Sequence, residues 1–473
     1  MLAILTAKTK QGTVRGKPAW NRAISVFRGV PFAEPPTGEN RWRAPKPAKS
    51  WSGVRDCFDY GPIPYQAHEE TRTDVLVTGI RTFRHPLSED CLYLNIWTPA
   101  ESESDNLPVA VYIHGGGFHS DYAFLNKHDG EAYAKRGCVF VTVSYRLGVF
   151  GFLAHPQLEQ EGPGVGNYGI LDQIAALRWV RENIRGFGGN PDCVTVIGFS
   201  GGAASVEYLC ASPLAKGLFQ RAIMQSGGGF RPVFSSWAVS KRAAMSLGDA
   251  YLRYMNVRTI AEARRLDSDI ILNGFTGMNR IPLFAGEEIG VDGVHYFRFT
   301  PSLGGDVLPE DPISVFLKGG HPDIDYLVGE AAGEGVRTVV ADVAWCRNQN
   351  ALGRRPTYQY FFRRVPPGAS GAFHSCEQEY MFQTLLKSLE WHYTGTDFDI
   401  SNDMADYFCN FIKTGDPNGP GLAAWTPHTA DSPRAMQFDE ERKMIDVPLT
   451  DAMETTIGKL MHNEILFGLN DKS

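Results

Sequence analysis

The stretch that most restricts what this chain can fold into is Asn167 to Cys210, "NYGILDQIAALRWVRENI", a polar "RGFGGNPD", then "CVTVIGFSGGAASVEYLC". Ile170, Ile174, Leu177, Val180 and Ile184 recur at spacings of three and four, which predicts a helix with one continuous apolar face. "CVTVIGF" is a short unbroken apolar run, and an Ala-rich helical stretch follows it. Upstream, "LPVAVYIHGGGF" and "GCVFVTVSYRLG" are further apolar runs rich in Val and aromatics, suited to strands buried on both faces. Strands alternating with helices of this length predict a largely parallel central sheet with helical crossovers, an α/β fold.

The same stretch carries a chemical signal. Gly198-Phe199-Ser200-Gly201-Gly202 fits G-x-S-x-G, in which a sharp strand-to-helix turn lifts a serine hydroxyl at the end of a sheet. With 50 Gly in the chain, this pattern should arise by chance roughly 0.3 times, so Ser200 needs partners before it counts as a nucleophile. One set of partners is backbone. "HGGGF", His114 to Phe118, follows a predicted strand, and its consecutive glycines let main-chain N–H groups approach a substrate oxygen closely. Gly116, Gly117 and Gly201 are the candidate donors for such an oxyanion.

Bulk properties remove several other classes. Of 473 residues, 43% are hydrophobic and 21% charged, the balance of a globular protein with a large core. A net charge of −7 with no Lys/Arg block argues against nucleic acid or an anionic membrane as partner. The first residues, "MLAILTAKTKQGTVRG", are too short in apolar length and lack the leading basic region of a signal peptide, so a cytoplasmic protein is expected. The eight cysteines are scattered without a C-x-x-C pair, which reads as free buried thiols rather than a zinc or redox site. No metal or cofactor is expected. Nothing marks a linker or repeat, so residues 1–473 are read as one domain, with 235–320, where the pattern turns to short helical runs such as "SKRAAMSLGDAYLRYM", as a cap-like insertion. The strand pattern resumes at "IDYLVGEAAGEG" and "PTYQYFFRRV", and "KLMHNEILFGL" is expected to be helical.

"FRGVPFAEPPTGENRWRAPKP", "SEDCLYLNIWTP", "YIHGGGF", "VSYRLGVFGFL", the 167–206 block, "GAFHSCEQEYMF" and "FIKTGDPNGPGLAAW" resemble, in this order, the blocks of the type-B carboxylesterases. That is the α/β-hydrolase family of para-nitrobenzyl esterases, animal carboxylesterases and cholinesterases. The resemblance implies a triad in the order Ser, Glu, His: Ser200, Glu334 in the segment from Gly329 to Gly335, and His374. Glu330, Asp306 and Asp342 are nearby alternatives for the acid. His119 and His155 flank matched blocks and read as ordinary loop residues. By resemblance, Arg41 with Glu89 and Arg146 with Asp172 look like ion pairs that fix loops, and Ser226 stands behind the nucleophile. Phe118, Phe199, Met381 and Phe382 are candidates for the substrate pocket.

The implied activity is hydrolysis of neutral carboxylic esters, aryl or short-to-medium acyl, by two-step acyl transfer on a small-molecule substrate. Amide, carbamate or thioester hydrolysis on the same triad is the nearest alternative, and a non-catalytic binding homologue a more distant one. Four departures from the family pattern carry expectations. Phe199 stands where the family usually has Glu, which predicts activity retained at more acidic pH. Arg81 replaces the cholinesterase tryptophan that receives choline, so cholinesterase activity is not expected. Cys91 has no cysteine at its usual partner position, with Cys57 somewhat upstream. Glu334 and His374 are only 40 residues apart, which predicts a wide entrance that admits bulky esters.

Overall fold

The computed structural model describes residues 3–67, 86–230, 238–278, 299–388, 391–429 and 432–462. Eleven strands form its main sheet: β1 (Lys17–Pro18), β2 (Ser25–Pro31), β3 (Tyr93–Thr98), β4 (Leu107–Ile113), β5 (Val139–Val143), β6 (Gly189–Phe199), β7 (Arg221–Gln225), β8 (Asp325–Ala331), β9 (Thr357–Phe362), β10 (Arg434–Phe438) and β11 (Lys443–Asp446). Their spatial order is β11-β10-β9-β8-β7-β6-β4-β5-β3-β2-β1. The six pairings from β5 to β10 are all parallel, and antiparallel strands close the two sides. Inner strands are largely apolar because both faces are covered: every residue of β5 is buried, and of its five side chains only Thr142 is polar.

Helix α1 (Tyr168–Asn183) lies where the apolar spacing predicts it, and all five of the stripe residues are buried. Two of its polar side chains, Asp172 and Gln173, are buried as well and are hydrogen-bonded. Asp172 accepts from Arg146 through Nη2 at 2.7 Å and Nε at 2.8 Å, while Gln173 donates to Ser205 at 2.9 Å. The bidentate ion pair therefore locks the loop after β5 to α1, as read from the resemblance. The polar "RGFGGNPD" already contains the start of β6, which begins at Gly189 and reaches Val194 through a register irregularity against β4.

Between β7 and β8 the chain leaves the sheet. It forms α3 (Lys241–Tyr254), α4 (Ile260–Arg264) and α5 (Ser268–Met278), and a two-stranded parallel pair joins Val239–Ser240 to Ser302–Leu303. Arg41 anchors this insertion. Its guanidinium donates to Glu89 Oε2 at 2.8 Å and to the carbonyls of Arg264 at 3.1 Å and Leu266 at 2.9 Å, and Arg264 returns a bond to Arg41 O at 2.9 Å. The last helices divide between two cores: α6 (Val336–Ala351) and α9 (Asp451–Met461) join the cluster that holds α1 and the insertion, whereas α7 (Glu377–Met381) and α8 (Gly395–Thr414) pack in the second. Of "KLMHNEILFGL", the first three residues end α9 and the residues after His462 lie outside those described, as does Arg81.

All eight cysteines are free thiols and seven are buried, Cys57 and Cys91 among them. Among the described residues no helix is long and apolar enough to cross a membrane.

Candidate active site

The turn after β6 is built on glycine. A Cβ on Gly198 would sit 2.0 Å from Gly202 O, and one on Gly202 would sit 2.1 Å from Ile113 O. Strand, turn and helix start are packed too closely for any side chain at either position. Between them Ser200 takes φ 54° and ψ −119°, a conformation rare outside glycine that costs on the order of 1–3 kcal/mol. Neighbouring bonds hold it there: Ser200 N donates to Gln225 O at 2.9 Å, and Ser200 O accepts from Ala204 N at 3.1 Å. Ser200 opens α2 (Gly201–Ala211) without its side chain capping the helix, so the hydroxyl remains for another partner.

That partner is His374. Its Nε2 lies 2.9 Å from Ser200 Oγ, and its Nδ1 lies 3.2 Å from Glu334 Oε2. Glu334 sits on the turn after β8, and its other oxygen accepts from Ala331 N at 3.3 Å. Gly333 N donates to Ala372 O at 2.8 Å, tying the loop of the acid to the loop of the imidazole; a Cβ on Gly333 would stand 2.4 Å from that carbonyl. The Glu334 side chain is 3% exposed and the His374 side chain 45%. Of the four acids considered from sequence, Glu334 is the one joined to His374; Asp306 is exposed, and Glu330 and Asp342 are buried elsewhere, in β8 and α6.

The glycine run packs against this arrangement. A Cβ on Gly201 would come within 2.8 Å of Gly117 N and 3.3 Å of Phe118 N, so the glycine run and the start of α2 approach each other closely beside Ser200. Gly116 and Gly117 both have positive φ, 89° and 58°. Two backbone donors and a hydroxyl bonded to an imidazole, itself bonded to a carboxylate, are the parts needed for attack on an acyl carbonyl.

A sequence profile of the Carboxylesterase family matches residues 4–344 and 337–456. The chain belongs to the carboxylesterase family. It is 38% identical to the fumonisin B1 esterase of Sphingopyxis macrogoltabida, over 89% of this chain and 84% of that protein. It is 31% identical to the acetylcholinesterase of Bungarus fasciatus, over 92% and 83%. A solved PNB esterase structure superposes with a TM-score of 0.81 at 27% identity, covering 96% of this chain and 99% of that one. The protein is thus a carboxylic ester hydrolase with the α/β-hydrolase fold.

Within this carboxylesterase, three of the four pocket candidates prove to be core. The Phe118 ring packs on Phe152 and Tyr208 at centroid distances of 5.4 and 6.0 Å. Phe382 is surrounded by Tyr112, His128 and Phe140, and Met381 is buried in the same cluster. Their physical role is to back the glycine run and α7, since aromatic side chains that fill a core gain more from burial than from lining a wet cleft. Phe199 differs: its ring stands 4.9 Å from that of His374, tilted by 30°. An apolar face therefore covers one side of the imidazole.

One carboxylate near the site escaped the sequence reading. Glu377, at the start of α7, is fully buried, and Ser226 Oγ donates to its Oε1 at 2.7 Å. Burial pushes its carboxyl up to about 7, and the negative charge of Glu334 acts in the same direction. Its position three residues after His374 was the available signal, together with Ser226, whose role behind the nucleophile is to hold this group. His155, by contrast, is the loop residue it was read as: its Nδ1 accepts from Gln157 N and caps a short helix.

Proposed function

We propose that Ser200, His374 and Glu334 act together as nucleophile, general base and orienting acid in two-step hydrolysis of neutral carboxylic esters. The observation that carries this reading is the continuous chain from Ser200 Oγ to His374 Nε2 at 2.9 Å and from His374 Nδ1 to Glu334 at 3.2 Å. Glu334 accepts the Nδ1–H, which leaves Nε2 as the basic nitrogen that takes the serine proton during attack. The tetrahedral oxyanion is received by the N–H groups of Gly116, Gly117 and Gly201. Each such donor is worth roughly two to three orders of magnitude in rate. His374 then gives its proton to the leaving alcohol. Water repeats the attack on the acyl-enzyme, with the same imidazole as base.

The half-exposed His374 side chain supports a substrate with a bulky alcohol or acyl part, because one side of the ring that protonates the leaving group is open to solvent. Phe199 against the imidazole supports an uncharged substrate, since a choline-type cation finds no carboxylate there. The test is a panel of para-nitrophenyl esters from acetate to long acyl chains, with Ser200→Ala beside wild type. Wild type should turn the panel over, and the variant should lose roughly four or more orders of magnitude in rate. Comparable rates in both proteins would refute the assignment of Ser200.

A further inference from the structure

A backbone N–H is aimed by its own peptide plane, because in a trans peptide the carbonyl of the preceding residue points the opposite way. Whatever holds that carbonyl therefore fixes the donor. Behind Gly117 N the carbonyl is Gly116 O, which accepts from His119 N, Ser120 N and Ser120 Oγ, each at 3.1 Å. The chain doubles back tightly to make these bonds. A Cβ on Gly116 would stand 2.0 Å from Ser120 O, and Phe118 between them has φ 67°, with its carbonyl held by Gly148 N at 2.7 Å. On the opposite edge of the same peptide, Gly117 N has no protein acceptor among the described residues and lies 2.8 Å from where a Cβ on Gly201 would be. The other two candidate donors are backed in the same way: His114 Nδ1 donates to Gly115 O, behind Gly116 N, and Ala204 N donates to Ser200 O, behind Gly201 N, both at 3.1 Å.

The geometry points to Ser120 as a positioning residue whose hydroxyl, bonded to the far side of the peptide, aims and strengthens the Gly117 N–H as an oxyanion donor. This role rests on the esterase reading above and adds to it a side chain that touches no substrate. Two backbone N–H groups already close the turn on Gly116 O, so the hydroxyl is not what folds it. A third donor on that oxygen draws electron density toward it and leaves the N–H of the same amide more positive. Ser120 is buried, and in a low-dielectric interior linked hydrogen bonds strengthen one another by about 10–30% per bond. An oxyanion donor is worth roughly 100- to 1000-fold in rate, so that share of its free energy corresponds to about 2- to 8-fold. The gain grows with the charge on the acceptor, and is larger for the oxyanion than for the neutral ester carbonyl; it therefore acts on turnover rather than on binding.

The experiment compares wild type, Ser120→Ala and Ser120→Thr in kcat and KM for para-nitrophenyl butyrate, per titrated active site, and in Ki for an alkyl trifluoromethyl ketone. With the ketone, Ser200 Oγ adds to the carbonyl carbon, the serine proton passes to His374, and the former carbonyl oxygen becomes an oxyanion that stays in place. In Ser120→Ala kcat should fall about 2- to 8-fold, KM should change by less than about 1.5-fold, and Ki should rise by the factor that kcat falls. Ser120→Thr keeps the hydroxyl and should stay within about 1.5-fold of wild type in all three quantities. Unchanged kcat and Ki in Ser120→Ala, or a fall in kcat without the matching rise in Ki, overturns the role of Ser120. If Ser200→Ala is as active as wild type, the esterase reading itself has failed; a flat Ser120→Ala result in an enzyme that Ser200→Ala silences overturns the positioning role alone.

Discussion

Glu377 gives the sharpest test of how burial sets behaviour in this site. Its carboxyl is fully buried, hydrogen-bonded to Ser226 and pushed up to about 7, against an ordinary value of 4.5 in an unfolded chain. Between those two values the folded protein holds a proton that the unfolded chain has released. Stability must then fall as pH rises through this window and level off above pH 7. A difference of this size corresponds to about 3 kcal/mol, a large part of the stability of an ordinary domain. Glu377→Gln keeps an oxygen to accept from Ser226 and removes the ionisation. Urea unfolding of wild type and variant at pH 5 and pH 8 measures the effect. Relative to the variant, wild type should lose on the order of 2–3 kcal/mol between the two pH values. Any constant cost of burying the amide cancels in this comparison. The same gap between the proteins at both pH values would refute the claim that a buried, proton-holding carboxyl lies behind His374.

Two further outcomes follow from the same geometry. Gly202→Ala forces a Cβ to within 2.1 Å of Ile113 O, where backbone of β4 and α2 must part; a loss of several kcal/mol in urea unfolding, roughly 3 or more, is expected, as for other severe overpacking. Unchanged stability would mean that the turn is not as tightly packed as described. Phe199→Glu places a carboxylate against the His374 ring, so the acidic limb of the pH–rate profile should move upward by roughly one pH unit, and a limb that stays put would refute the role given to Phe199.

Much of this protein is written locally. The stripe of Ile170, Ile174, Leu177, Val180 and Ile184 makes α1 a helix with a buried face whatever else the chain does, and the all-apolar runs of β4 and β5 suit only strands covered on both sides. G-x-S-x-G is legible for the same reason, since the demand for glycine at 198 and 202 comes from atoms within a few residues or on the adjacent strand. The family, and with it the ester hydrolase chemistry, follows from motifs whose order along the chain is itself information.

What the tertiary structure decided is which side chains meet. Four acids were open as partner to His374, and the bond from Gly333 to Ala372 brings Glu334 within 3.2 Å of the imidazole. Glu377 lies three residues from His374 in sequence, yet its significance comes from burial and from Ser226, about 150 residues away. Phe118, Met381 and Phe382 look from sequence like pocket walls because they adjoin matched motifs; their side chains turn into the core because the surrounding elements offer apolar partners there. Sequence patterns record the spacing and polarity along one strand or helix, whereas a site depends on the direction of side chains from separate elements, and those directions exist only once the sheet has brought the elements together.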